Sequence, residues 1–225
     1  MIRKIYRKNE TKNWKQFIAN KYAEFLYSNY SGGKPMPEDK DIYRVTGETI
    51  DSDTVLSIED GDNIVGMTSY KVFKNTIWIK EICVGFKYRG KGISNELRKW
   101  MVEEENPHII IGLAHNPTSV ISRSNTFHKL GYQTYWGNLP VDDGEISVEE
   151  LDEISREFIK ETYPQHMASY KDGIVAYTDA NIWAEEPLEE LKNKNVSLVL
   201  KKALNFQKEN NISAMATLIS IKKTT

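Results

Sequence analysis

Apolar and polar positions change their period several times along the chain, and the clearest change lies within Ile77 to Glu104, IWIKEICVGFKYRGKGISNELRKWMVEE. The first part is a continuous apolar run with β-branched and aromatic residues, the pattern of a strand buried on both faces, and it breaks at Gly85. From Ile93 the spacing turns helical, because Ile93, Leu97, Trp100 and Met101 fall at i, i+4, i+7 and i+8 and share one stripe. The segment therefore predicts strand, loop, helix. Upstream, Met1 to Lys8 reads as a first strand, and Trp14, Phe17, Ile18, Tyr22, Phe25 and Leu26 make the apolar stripe of a helix over Asn13 to Tyr27. Ser31-Gly32-Gly33-Lys34-Pro35-Met36-Pro37 breaks it. Thr54 to Glu59 and Asn63 to Phe73 read as strands joined by Asp60-Gly61-Asp62, and Lys74-Asn75 turns the chain into the Ile77 strand. Three consecutive antiparallel strands follow.

Downstream, His108 to Leu113 is a second continuous apolar run, expected to lie parallel to the Ile77 strand through a crossover. Tyr132 to Gly137 is aromatic-rich and strand-like. Ser147 and Glu150 form a capping box for a helix carrying Leu151, Ile154 and Phe158. Gly173 to Thr178 reads as a short strand, Pro187 as the opening of a helical turn, and Asn195 as the cap of a helix with Val196, Val199, Leu200, Ala203 and Leu204 on one stripe. Ile212 to Ile221 closes the chain as a strand, expected beside Tyr132 to Gly137. The fold class is α/β (α+β), with a mixed, mostly antiparallel central sheet flanked by helices and an extra C-terminal layer. Residues 1–138 are expected to form the core. Residues 139–225 form an extension or insertion, whose last strand, about 212–222, would complete the core sheet.

At 225 residues, 40% of them hydrophobic, the chain can bury a full core. A formal net charge of -2 supplies no global field for nucleic acid or an anionic membrane. The single cysteine, Cys83, excludes an internal disulfide, and no Cys/His cluster has zinc spacing, so no metal is expected. Asp143, Gly144, Ile146 and Glu150 imitate the second half of a calcium loop, but Leu139 and Val141 stand at its first ligand positions and cannot bind the ion. The N-terminus lacks the apolar core of a signal peptide, and no run reaches the ~20 apolar residues of a membrane span. A soluble cytoplasmic protein is the expectation.

The chemistry concentrates in Lys87-Tyr88-Arg89-Gly90-Lys91-Gly92. Glycines let backbone approach a ligand, the first helical turn offers unpaired N–H groups and a positive dipole end, and three basic residues add charge. No Gly-Lys-Ser/Thr ends the loop and the three-glycine spacing of a dinucleotide site is absent, which excludes both of those motifs. The loop resembles the acetyl-CoA loop of the GNAT family of N-acetyltransferases, Gln/Arg-x-x-Gly-x-Gly/Ala. Lys87 stands in the Gln/Arg place, Gly90 and Gly92 in the glycine places, Ile93 follows, and Ser94 replaces a frequent glycine. A second block, HIIIGLAHNPTSVISRSNTFHKLGY, is similar to the family's next strand–Asn–helix–Lys-x-Gly-Phe/Tyr block through Asn116 and Lys129-Leu130-Gly131-Tyr132. The resemblance covers roughly residues 50 to 138.

It implies an acyl-CoA-dependent N-acyltransferase that moves acetyl from acetyl-CoA, as co-substrate, to a primary amine in a ternary complex. The acceptor would be a small-molecule or protein amine, with a homodimer a common family state. The Ile82-Cys83-Val84 backbone would run alongside the pantetheine arm. Amides of Arg89 to Ser94, with Lys87, Tyr88 and Asn116, would complete the cofactor site, and the 31–37 loop would be a lid. Two bases are open: Glu81, a charge in an apolar strand, and His115, at the carboxyl end of the second apolar run. The family's acidic tyrosine is replaced by Phe127, leaving Ser124 or Tyr132 as substitutes or unassisted departure of the thiolate. Cys83 in an apolar strand reads as an inert core thiol. Two other readings remain open, a noncatalytic coenzyme A sensor and a nucleobase-modifying enzyme on the same fold.

Overall fold

The computed structural model describes residues 1–114, 117–141, 146–177, 193–210 and 213–223. His115, Asn116, most of the calcium-loop imitation at 142–145, the Pro187 turn and Ile212 lie outside the described residues. The chain divides into two compact units, Met1–Pro107 and His108–Thr225, so the expected boundary at 138 falls within the second. Each pairs antiparallel strands with helices.

In the first unit β1 (Ile2–Arg7) is followed by α1 (Trp14–Tyr30), two single-turn helices α2 (Ile42–Val45) and α3 (Gly47–Ile50), the strands β2 (Thr54–Asp60), β3 (Asn63–Phe73) and β4 (Thr76–Val84), and α4 (Ile93–Glu105). Each strand pairs antiparallel with the next, in the order β1-β2-β3-β4. The aromatic stripe read from the sequence is the buried side of α1: Trp14, Ile18, Tyr22 and Leu26 pack with Val55 and Met67, and Cys83 borders the cluster. The helix runs three residues beyond the expected end, to Tyr30, because Ser31 and Gly33 cap it by donating their N–H groups to Tyr27 O (2.8 Å) and Ser28 O (2.7 Å).

Two irregularities of this unit matter for the site. The β3–β4 register shifts between Ser69 and Tyr70, which oppose Glu81 and Ile79, so Lys80 is the extra residue of a β-bulge. Burial on both faces holds for Ile77, Trp78 and Ile79 but not for residues 80–84, which are partly exposed. On β3, Gly66 lets α4 come close. A Cβ there would sit 2.8 Å from Ile93 Cγ2 and 3.2 Å from the Cys83 carbonyl oxygen. The far end of α4 is tied down by Glu105, which accepts from Arg7 (3.1 Å) and from the Tyr70 hydroxyl (3.0 Å).

The second unit contains β5 (Ile109–Ala114), α5 (Pro117–His128), β6 (Tyr132–Trp136), β7 (Leu139–Pro140), α6 (Val148–Thr162), β8 (Ile174–Tyr177), α7 (Lys194–Asn210) and β9 (Ser213–Lys222). β9 is its central strand, antiparallel to β5 along one side and to β6 and then β8 along the other. Val196, Val199, Leu200 and Ala203 of α7 pack with Trp136, Ile174, Ala216 and Leu218. Ser147 caps α6 by accepting from the Glu150 N–H at 3.1 Å. α7 is capped by Asn193, whose side chain accepts from the Val196 N–H at 3.0 Å, and not by Asn195, which donates to the Pro140 carbonyl instead. No helix among the described residues is long and apolar enough to cross a membrane.

The contact at Gly66 yields a stability prediction. Adding one methyl there, Gly66→Ala, meets a backbone carbonyl as well as Ile93, so the strand and α4 must separate. An overpacking loss of about 1–3 kcal/mol is expected. It should appear in thermal unfolding as a Tm lowered by roughly 3–10 °C.

Candidate functional site

The strand β4 runs directly into the basic glycine turn, so one stretch of chain carries both a carboxylate and an anion-binding geometry. Gly85 donates to Val65 O at 2.9 Å and fixes the exit from the sheet. A 3-10 turn, Phe86–Tyr88, then leads to Arg89. Gly90 (φ 75°) and Gly92 (φ 79°) are left-handed, a conformation that favours glycine, and a Cβ at either would meet nothing within 4 Å. The space beside both glycines is open. Gly92 is the N-cap of α4 and has no side chain to cap it. The Asn95 and Glu96 N–H groups bond the Gly92 carbonyl at 3.0 and 3.1 Å, whereas those of Ile93 and Ser94 have no carbonyl of their own helix to reach. Two forward-pointing amides and the helix dipole therefore face the open side of the turn.

The three cations of the turn are not equivalent. Lys87 and Lys91 are exposed, with the Lys91 ammonium 5.4 Å from the Tyr88 ring centroid. Arg89 is braced: Nη2 donates to Asn29 Oδ1 at 3.1 Å, Nε to Val84 O at 3.5 Å, and the guanidinium lies 4.0 Å from the Phe86 ring centroid. Its side chain joins the end of α1 to the turn.

Glu81 lies on β4, partly exposed, beside the bulged residue. Its Oε2 accepts from the Tyr30 hydroxyl in a short hydrogen bond and from Cys83 Sγ at 3.5 Å. Removal from water pushes the carboxyl up to about 7, against the lowering effect of these two donors, and the Glu48 carboxylate pushes the same way. Burial, with the Glu81 charge second, holds the Tyr30 phenol well above its usual range, and burial does the same to the Cys83 thiol. Lys80 does not share this cluster. Its ammonium is buried between Asp51 Oδ2 (2.9 Å) and Glu48 Oε2 (3.4 Å).

Glu81, Ile82, Cys83, Val84, Lys87, Tyr88, Arg89, Gly90, Lys91, Gly92, Ile93 and Ser94 thus lie on one stretch of chain in the first unit, with Ile93 buried. In the second unit Ser124 is 1% exposed and Tyr132 is fully buried, its ring 5.8 Å from that of Phe127. Burial raises the Tyr132 phenol to about 12. Neither hydroxyl is presented at a surface. His115 and Asn116 lie outside the described residues. Sequence reasoning missed Tyr30 and Asn29. The available signal was the continuation of the Tyr22–Leu26 spacing by a further i+4 to Tyr30, past the point where the helix was expected to stop.

Residues 19–117 match the model of the Acetyltransferase (GNAT) family, a span that contains all but the first five residues of α1, the β2–β4 strands, the glycine turn, α4 and β5. Over that span, 99 of the 225 residues, the chain is similar to the GNAT family. Among solved structures it is similar to a putative acetyltransferase from Pyrococcus horikoshii, at 14% identity and a TM-score of 0.46 over 98% of this chain and 90% of that one. It is also similar to a putative GNAT acetyltransferase from Bacteroides thetaiotaomicron, at 15% identity and a TM-score of 0.44 over 72% and 97% of the two chains. A third, a Mycobacterium tuberculosis protein in complex with CoA, gives 14% identity and a TM-score of 0.39 over 96% and 97%. No curated protein matches the chain. The family model that matches residues 19–117 is one of acetyltransferases.

The Glu81 carboxyl makes stability depend on pH in a direction opposite to an ordinary ion-paired acid. Its pKa in the folded protein, about 7, exceeds the ordinary 4.5, so the folded state holds the proton more tightly and its contribution is lost as pH rises from about 4.5 to about 7. Glu81→Gln removes that loss. Its stability relative to the parent protein should increase by about 2 kcal/mol between pH 5 and pH 8 in urea unfolding. A difference that stays flat across this range would show that Glu81 titrates normally.

Proposed function

We propose that this protein transfers an acetyl group from acetyl-CoA to a primary amine by direct attack within a ternary complex. The observation that carries the reading is the continuity of one segment: a carboxylate with a pKa near 7 on β4, followed within the same chain stretch by an open glycine turn at the head of α4. A diphosphate needs converging amides and modest positive charge, which Gly90 to Ser94 offer, with Lys87 and Lys91 at the margin. The Ile82-Cys83-Val84 backbone would lie along the pantetheine arm and bring the thioester to the level of Glu81. Tyr88, Arg89 and Ile93 shape the turn, and Asn116 follows the next strand in the family pattern.

An amine acceptor arrives as an ammonium and must lose a proton before its lone pair can attack. Glu81 suits this step, because a base with a pKa near the working pH is ionised often enough to accept a proton and basic enough to hold it. Nitrogen then bonds to the carbonyl carbon, and the developing oxyanion meets a backbone amide of the β4 stretch. The nitrogen then gives up its remaining extra proton to water, and collapse breaks the C–S bond and releases the thiolate of coenzyme A. That leaving group needs no tyrosine acid, since a free thiol has a pKa of roughly 8.5 and the thiolate takes its proton from water. The reading therefore accommodates Phe127 and the burial of Ser124 and Tyr132. His115 remains the rival base.

Calorimetric titration with acetyl-CoA tests the turn. Gly92→Glu sets a carboxylate and a strained left-handed residue at the anion position and should weaken binding by at least about tenfold. Gly92→Asn, a residue that tolerates this conformation without adding charge, should stay within about threefold of the parent. Equal affinity for all three proteins would overturn the cofactor assignment. Release of free thiol from acetyl-CoA over an amine panel of an aminoglycoside, a polyamine, an amino acid and a peptide N-terminus tests the transfer. Tight binding without turnover on any of them would favour a coenzyme A sensor.

A further inference from the structure

We infer that Tyr30 is a positioning residue for Glu81, holding one carboxylate oxygen so that the other is presented to the incoming ammonium. The inference rests on the reading of Glu81 as the base, and it goes further by assigning a role to the end of α1. Tyr30 as a residue is 61% exposed, yet its hydroxyl is withdrawn from water and directed onto Glu81 Oε2. Both hydrogen bonds that Glu81 receives among the described residues, from Tyr30 and Cys83, go to that same oxygen. Oε1 takes neither.

A glutamate side chain has three rotatable bonds and loses rotamer freedom only when something fixes it. Tyr30 can do so because its own place is fixed. Its neighbour Asn29 donates to Phe25 O at 2.9 Å and accepts from Arg89 at 3.1 Å, pinning the last turn of α1 to the glycine turn. Ser31 and Gly33 cap the same turn, and a Cβ at Gly33 would lie 3.9 Å from the Phe86 ring. The base is therefore oriented by a helix end that is itself braced against the cofactor loop.

The other charged and titratable groups around Glu81 act differently. On β4, Cys83 donates to the same oxygen, and Lys80 is neutralised by Glu48 and Asp51 of the α3 region. Glu48 still raises the proton affinity of Glu81, and Arg89 acts on Cys83 from the turn. Tyr30 is the partner from α1, and its loss frees the carboxylate to rotate while removing a hydrogen bond to the ionised form.

Two readouts test this. Carbon-13 titration of the Glu81 carboxyl, with glutamate labelled and Glu81→Gln used to assign the signal, should show the midpoint of Tyr30→Phe raised by about one unit. In the thiol-release assay with whichever amine of the panel turns over, Tyr30→Phe should lower kcat about tenfold and move the acid limb of the pH profile upward by a similar interval. KM for acetyl-CoA should stay within about twofold, since the glycine turn is untouched. An unmoved carboxyl midpoint overturns the inference whatever the turnover does. If Tyr30→Phe does not fold, difluorotyrosine placed at position 30 keeps the shape and gives a more acidic donor. It should lower the Glu81 midpoint, and an unchanged midpoint again overturns the inference. The parent reading fails separately: Glu81→Gln with full turnover removes Glu81 as the base, while the titration still reports the Tyr30 hydrogen bond.

Discussion

A carboxylate held partly out of water on an otherwise apolar strand is the constraint that organises the first unit. Ionised and desolvated, Glu81 would be costly without donors, and the chain provides two on one oxygen while leaving the group basic enough to exchange a proton near neutrality. Lys80, the preceding residue, does not neutralise it. The β-bulge makes Lys80 the extra residue of the register, and Asp51 and Glu48 take its ammonium. An ion pair with Lys80 would have driven the Glu81 pKa down and made the carboxylate a weaker base. The same unit shows what full pairing looks like at Glu59, where Lys4 at 2.7 Å and Lys21 at 3.0 Å hold the carboxyl below its ordinary range despite burial.

The strand–turn–helix was legible in the sequence because each part has its own signature: apolar β-branched residues, then glycines, then a helical stripe. Those signatures are local. The end of α1 was not legible, since Ser28, Asn29, Tyr30, Ser31, Gly32 and Gly33 together have the composition of a breaker. The structure uses them as a capped helix end. That misreading hid Tyr30, the main hydrogen-bond partner of Glu81. The bulge at Lys80 was also hidden, because register depends on which residues of β3 lie opposite and not on the composition of β4. Asn195 and Asn193 are both good caps by type, and the choice between them was decided by the Pro140 carbonyl, which holds Asn195 in another role.

In the second unit, sequence pattern gave the strands but not what joins them. A buried polar cluster does much of that work. Asn138 donates to Asp152 (3.0 Å) and to Tyr170 (3.3 Å), Ser155 donates to Asn138 (3.0 Å), and Ser155 meets Thr217 of β9 at 3.0 Å. The cluster fastens α6 to β9 through hydroxyl and amide groups whose partners are far apart in sequence. Gly173 is required beside it, since a Cβ there would sit 2.8 Å from Asn138 Oδ1 and from the Gly137 backbone. Buried polar groups satisfied in this way specify one arrangement more sharply than apolar contact alone.

In the proposed reading, an anion at the glycine turn would be held more by geometry than by charge count. Lys87, Arg89 and Lys91 suggest three cations, but Arg89 is engaged by Asn29, Val84 and Phe86. Glu96, in the first turn of α4, would oppose an anion there, and Arg3 offsets it with an ion pair at 3.2 Å. What is left is two exposed lysines, screened by salt, and backbone amides whose direction is fixed by Gly90, Gly92 and the helix that follows. A chain with a net charge of -2 has no long-range field with which to gather an anionic ligand. The proposed recognition would then occur at contact, through backbone amides, so the left-handed glycines and the close approach of α4 at Gly66 would matter more to it than the basic residues do.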